Sequence, residues 1–154
     1  MPTCSFSRAI QWIASLGIAC LGLGLAGAGA VSQGTTKRGL AWDETGSGEA
    51  VVLLHAFSVA RRRWDAQVEV LRPHYRVLRY DLRGHGTSIG ATEPFSAVED
   101  LAPLLEERGI TRAALVGLSN GSRIAVDFAL THPSQVSRLV LAGPALSGYV
   151  PKEK

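Results

Sequence analysis

Apolar residues recur along this chain with two different periods, and the alternation between them sets the expected architecture. Val51-Val52-Leu53-Leu54 is an unbroken apolar run of strand length, the pattern of a strand buried on both faces. Tyr75 to Tyr80, Ala113 to Leu118 and Val136 to Ala142 are further candidate strands. Between them the spacing lengthens to that of a helix. Trp64, Val68 and Leu71 share one face of the segment Trp64 to Leu71, and Val98, Leu101, Leu104 and Leu105 form a stripe along Ala97 to Glu107, which Gly109 ends. A third helix is predicted from Asn120 to Thr131. Leu40-Ala41-Trp42 is a shorter candidate strand closed by the turn Gly46-Ser47-Gly48. Residues 31–39 read as a linker, polar from Gly34 to Arg38, and Gly143 to Lys154 has the composition of a loop.

Strands and helices alternating in short steps predict an α/β fold: a mostly parallel sheet, right-handed crossovers and helices on both faces. At 154 residues and 46% hydrophobic content, the chain has room for one domain with a real core, over residues 40–154. In such sheets ligands gather where strands end at their carboxyl side. Three loops leave that side here: His55-Ala56-Phe57-Ser58, Asp81 to Ser88, and Gly117 to Gly121.

The first thirty residues differ in kind. From Ala9 to Ala30 there is no charge; Arg8 gives a positive start, Ile10 to Leu25 an apolar stretch, and Ala28-Gly29-Ala30 a small-x-small cleavage site. That is the build of a secretory signal peptide. Two alternatives stand beside it: an uncleaved membrane anchor, and a lipoprotein signal at Gly17-Ile18-Ala19-Cys20, with glycine where leucine is usual. Each predicts export to the periplasm or beyond, with membrane contact through this segment. Both cysteines, Cys4 and Cys20, lie inside it, so cysteine chemistry is absent from the body. Beyond residue 30 lie all 13 acidic residues and 15 of the 16 basic ones, and the resulting +2 gives no footprint for nucleic acid. The run Arg61-Arg62-Arg63 reads as a solvated loop face, with an anion-steering patch as the alternative. No metal-ligand cluster, phosphate-cradling loop or nucleotide fingerprint occurs, so neither metal nor cofactor is implied.

The chemistry concentrates in Gly117-Leu118-Ser119-Asn120-Gly121. A serine between two glycines, after a strand and before a helix, is the sequence form of a nucleophile elbow. Together with Leu53-Leu54-His55-Ala56-Phe57, the turn Tyr80-Asp81-Leu82-Arg83-Gly84-His85-Gly86-Thr87-Ser88 and His132-Pro133 through Val140, it resembles the α/β-hydrolase superfamily, in family order and spacing. Trp64-Asp65-Ala66-Gln67 and Tyr75 to Asp81 are most similar to its enol-lactonase and carboxylesterase-like branch. The resemblance covers Leu40 to Tyr149. It implies that Ser119 is the nucleophile, that the backbone N–H groups of Asn120 and Phe57 hold the oxyanion, and that Gly117, Gly121 and His55 support elbow and loop. A small-molecule acyl substrate follows, cleaved through an acyl-enzyme.

Two positions depart from the family pattern. Ala56 stands where glycine is preferred, at a cost of about 1–2 kcal/mol if the backbone there needs a positive φ. Ser122 stands where a second glycine often follows, a milder packing change. The Asp81 to Ser88 turn, with His85 in it, reads as structural.

A serine also needs a base. In the family the acid and the histidine follow on later strands, and here only His132 follows Ser119. It lies at the far end of the predicted helix, roughly 18–20 Å away, beyond reach. His55 is near enough to be a surrogate but has the oxyanion loop to hold; Asp127 and Glu153 are not credible acids. The expectation is therefore the N-terminal part of a hydrolase, truncated after the strand Val136 to Ala142, whose apolar edge is left to pair with another chain. The alternative is a catalytically silent remnant of the fold that binds a small ligand or partner. Haloperoxidase or acyltransferase chemistry on the same serine is a third reading, and a serine rather than a carboxylate at 119 disfavours a dehalogenase.

Overall fold

A computed structural model describes residues 30–144. The segment read from the sequence as an export signal, apart from Ala30, and residues 145–154 lie outside them. Strands β1 (Ser32–Thr35), β2 (Ala41–Thr45), β3 (Ala50–Leu54), β4 (Arg76–Tyr80), β5 (Ala113–Leu118) and β6 (Val136–Ala142) form one sheet in the order β1-β2-β4-β3-β5-β6. The pairs β3–β4, β3–β5 and β5–β6 are parallel, whereas β1–β2 and β2–β4 are antiparallel. Helices α1 (Asp65–Leu71), α2 (Ala97–Glu107) and α3 (Asn120–Thr131) complete the fold.

The sheet is buried on both faces because its central strands alternate between two apolar clusters. Val52 and Leu54 of β3 point with Leu78, Tyr80 and Leu115 into a core closed by Leu101, Leu104 and Leu105 of α2 and Ile124, Ala125 and Phe128 of α3. Val51 and Leu53 point the opposite way, with Val77, onto Trp64 and Val68. This two-residue period explains why an unbroken apolar run makes a strand here. The mostly parallel sheet with helices on both faces is the one expected.

Two local expectations need correction. The linker of residues 31–39 contains β1, an exposed edge strand whose backbone pairs with β2 although its side chains bury nothing. The strand predicted over Leu40-Ala41-Trp42 is β2, which starts at Ala41 and runs on to Thr45 through Asp43, which is buried. Asp43 is tolerated there because Arg61 Nε (2.9 Å) and Arg79 Nε (2.6 Å) both donate to it.

Arg61 likewise departs from the solvated reading of its run. Its side chain is 17% exposed and binds Asp43 and Asp81, while Arg62 is 83% exposed. Asp81, 1% exposed, also accepts the backbone N–H groups of Arg61 (2.7 Å) and Thr87 (3.0 Å). It thereby ties the short 3-10 turn Arg61–Trp64, ahead of α1, to the turn after β4. At the other margin, β6 keeps Leu139, Val140 and Leu141 exposed, with β5 its one strand partner among the described residues. No helix of the described residues is long and apolar enough to cross a membrane.

Replacing Asp81 by alanine leaves two backbone amides without their acceptor and the Arg61 guanidinium with Asp43 as its one remaining carboxylate among the described residues. Asp81→Ala is expected to lower stability by about 2–4 kcal/mol, read as a shift of the urea midpoint.

Candidate active site

Strand β5 ends at Leu118 and α3 begins at Asn120, so the reversal between them falls on one residue. Ser119 takes φ 51° and ψ −111°, and it is the one non-glycine residue with positive φ among those described. Such a conformation costs on the order of 1–3 kcal/mol and persists only where its surroundings impose it. Here they do. The Ser119 N–H donates to the Ala142 carbonyl at 2.9 Å, so β6 holds the bend from one side. The Ser119 carbonyl accepts from Ser122 N (2.9 Å) and Arg123 N (3.2 Å), the first turn of α3.

Both flanking glycines are required by contact. A Cβ on Gly117 would lie 2.5 Å from the Gly121 carbonyl oxygen and from Ser122 N and Cα. One on Gly121 would run into the Leu54 carbonyl oxygen, and would lie 2.6 Å from that carbonyl carbon and 2.9 Å from the His55 oxygen. Helix α3 therefore rests on the end of β3, backbone against backbone. Ser122, read from the sequence as a mild packing change, does more than that: it is fully buried, and its hydroxyl reaches the carbonyls of Gly117 (2.7 Å) and Ala142 (3.2 Å). The signal available for it was a hydroxyl at a position that must be small and sits beside two strand ends.

The Ser119 side chain is left over from all this. A serine at the N-terminal boundary of a helix ordinarily accepts a bond from the first turn, yet Ser119 makes no such bond. It is exposed, and its hydroxyl bonds to none of the described residues. Beside it the N–H of Asn120 opens α3, where no preceding helical carbonyl can claim it. The Asn120 side chain is turned aside, its Oδ1 accepting from Arg123 Nε (3.2 Å) and an Arg123 terminal nitrogen (3.0 Å).

The second predicted element, the loop after β3, lies next to the bend because β3 and β5 pair in parallel, with Leu54 opposite Gly117. His55 is fully buried. Its Nε2 accepts the Leu82 N–H at 3.0 Å, which fixes the tautomer, so Nδ1 donates to the Ala56 carbonyl at 2.7 Å. Burial, more than any neighbouring charge, holds its pKa below the usual histidine value, with His85 adding to the effect and the Ala56 bond and Asp81 opposing it. With both nitrogens occupied, His55 is no surrogate base. Ala56 does not adopt positive φ, so the feared cost of its Cβ does not arise. Phe57 presents a ring that is 72% exposed, and its carbonyl accepts from His85 Nε2.

His132 and His74 sit on other parts of the fold. His132 stacks on Phe128 at 4.5 Å and meets Thr131 at the far end of α3, and His74 follows α1 in the turn that enters β4 at its amino end. Asp127 pairs with Arg123 at 3.4 Å. Glu153 lies outside the described residues. Among the described residues no group of three or more histidine, cysteine or acidic side chains could hold a metal ion.

A family profile described as the alpha/beta hydrolase fold matches residues 49–153. The chain belongs to that family. It is 38% identical over 101 residues to a pimeloyl-[acyl-carrier protein] methyl ester esterase of Vibrio vulnificus, an alignment covering 66% of this chain and 39% of the relative. It is 36% identical over 100 residues to a putative 2-succinyl-6-hydroxy-2,4-cyclohexadiene-1-carboxylate synthase of Bacillus subtilis, covering 62% and 36% respectively. A crystal structure of a hydrolase from Pseudomonas aeruginosa superposes with a TM-score of 0.68 at 36% identity, covering 77% of this chain and 47% of that one. The chain thus spans about two fifths of the length of these curated relatives.

Two measurements check the geometry. Gly121→Ala is expected to cost about 3 kcal/mol or more, because the added carbon meets backbone that cannot retreat. Gly90→Ala, where nothing lies within 4 Å, should change stability by less than about 0.5 kcal/mol. The second concerns His55, which the fold keeps neutral while the unfolded chain takes up a proton near pH 6.5. The unfolded state then binds more protons, so stability should fall as pH drops below about 6.5 and go on falling until the lowered folded pKa is passed. Urea midpoints measured from pH 7 to 5 should show this slope, and His55→Gln should flatten it.

Proposed function

We propose that the chain carries the nucleophile and oxyanion hole of a serine hydrolase acting on esters, lactones or related acyl bonds. The observation that carries the reading is the state of Ser119: a strained backbone that nothing but a tight reversal needs, and a hydroxyl that makes no structural bond. In the proposed reaction Ser119 Oγ attacks the carbonyl carbon, and the carbonyl electrons move onto oxygen. That oxyanion takes the N–H groups of Asn120 and Phe57, each worth about 3–4 kcal/mol when aimed at the developing charge. Collapse expels the alcohol and leaves the acyl group on Ser119, and water later releases the acid. The kinship with an esterase of methyl esters favours a carboxylic ester among the acyl bonds. The reading includes export through residues 1–30.

The serine proton has to go to a base; the rings of His55, His85 and His132 are bonded or stacked elsewhere, and His74 lies in the turn at the amino end of β4. That observation favours the second reading, a silent remnant of the fold that binds a small ligand or partner. A fluorophosphonate probe on the full chain separates the two. Oxyanion donors and binding alone can leave roughly 10³–10⁴-fold catalysis over water, enough for slow labelling. A covalent adduct seen by intact-protein mass spectrometry and abolished in Ser119→Ala supports the hydrolase. A folded, monodisperse sample that takes no label sinks it in favour of the binding module.

A further inference from the structure

His85 lies in the turn after β4, which the sequence presents as scaffolding, yet its ring reaches across to the loop after β3. Nε2 donates to the Phe57 carbonyl, and Nδ1 faces the Arg83 carbonyl at 2.9 Å. The ring centroid is 5.2 Å from that of His55 and 5.3 Å from that of Phe57, the latter edge-on. Arg83 is itself anchored: its guanidinium grips Asp100 at 2.7 and 2.8 Å, and Asp100 is a buried residue in the first turn of α2. Arg83 is thus fixed to α2, and the His85 ring sits between it and the backbone at Phe57, with the Nε2–H tautomer giving its one proton to the Phe57 carbonyl.

The consequence follows from peptide planarity. No described peptide bond is cis, so the Phe57 N–H points opposite to the Ala56 carbonyl of the same unit, which His55 Nδ1 holds at 2.7 Å. The next peptide unit carries the Phe57 carbonyl, which His85 holds. Holding both carbonyl oxygens narrows the φ and ψ open to Phe57 between them. Packing cannot do this work, because the Phe57 side chain is 72% exposed. We propose that His85 is a positioning residue: with His55 it clamps the two peptide units around Phe57 and so aims the Phe57 N–H at the substrate oxyanion. The proposal rests on the reading of Phe57 as an oxyanion donor.

The test uses the full chain and p-nitrophenyl acetate, with acylation of Ser119 followed by mass spectrometry and amide exchange followed in parallel. His85→Phe keeps a ring beside Phe57 but removes the donor. It is expected to slow acylation at saturating ester at least tenfold, while the half-saturating concentration stays within twofold. His85→Gln, with an N–H placed near that of Nε2, should recover most of the rate, which loss of general stability would not allow. Wild-type acylation in a folded His85→Phe variant overturns the proposal. A wild-type chain that is not acylated at all defeats the reading of Ser119 instead, and exchange then judges the clamp alone. Faster exchange of amides 57–59 in His85→Phe, with β3 and β5 unchanged, supports it; equal exchange overturns it.

Discussion

The arrangement at the carboxyl end of the sheet depends on one contact, the approach of the first turn of α3 to the last peptide of β3. Gly121 leaves no room there for a single carbon atom. Because the helix must start against that strand end, the chain has one residue in which to turn from β5 into α3, and Ser119 absorbs the cost in its backbone. The exposed hydroxyl, the unclaimed amide of Asn120 and the nearness of the loop after β3 all follow from this proximity. A looser junction would relax Ser119 into an ordinary helix cap, with its hydroxyl folded back onto the helix.

Around this backbone contact the loops are held by polar groups rather than by apolar packing. His55 joins the end of β3 to Leu82, Asp81 gathers the amides of Arg61 and Thr87, and Asp100 holds Arg83. Hydrogen bonds are directional where apolar contacts are not, so they fix the orientation of peptide groups as well as their location. That property suits the proposed site, whose donors would be backbone amides. It also explains why the buried charges here are paired: each would be costly alone, and each is placed where two loops must keep a set angle.

Much of this was legible in the chain itself. The bounds of α2, β5 and α3 follow from the sequence because these elements bury a defined face, and β6 is marked by an apolar run although its residues stay largely exposed. Strand β1 left no such trace, since Ser32–Thr35 pairs by backbone alone and its side chains remain in solvent. Arg61 was misread, and the strand was stopped short of Asp43, for a related reason: hydropathy records the cost of burying a charge and is blind to a partner many residues away. The bend at Ser119 was visible through its small neighbours, whereas the parts played by Ser122 and His85 depend on carbonyl directions, which no residue identity encodes. The hydroxyl of Ser122 is where that limit is clearest, because alanine would satisfy the same size requirement without closing the junction.

The bond from the Ser119 amide to Ala142 ties the strained bend to a strand at the margin of the described sheet. Strand β6 is thus a lever as well as a border. A body that adds to this margin, or straightens it, would pull on the backbone of Ser119 from the rim of the sheet, through a peptide hydrogen bond and not through any side chain.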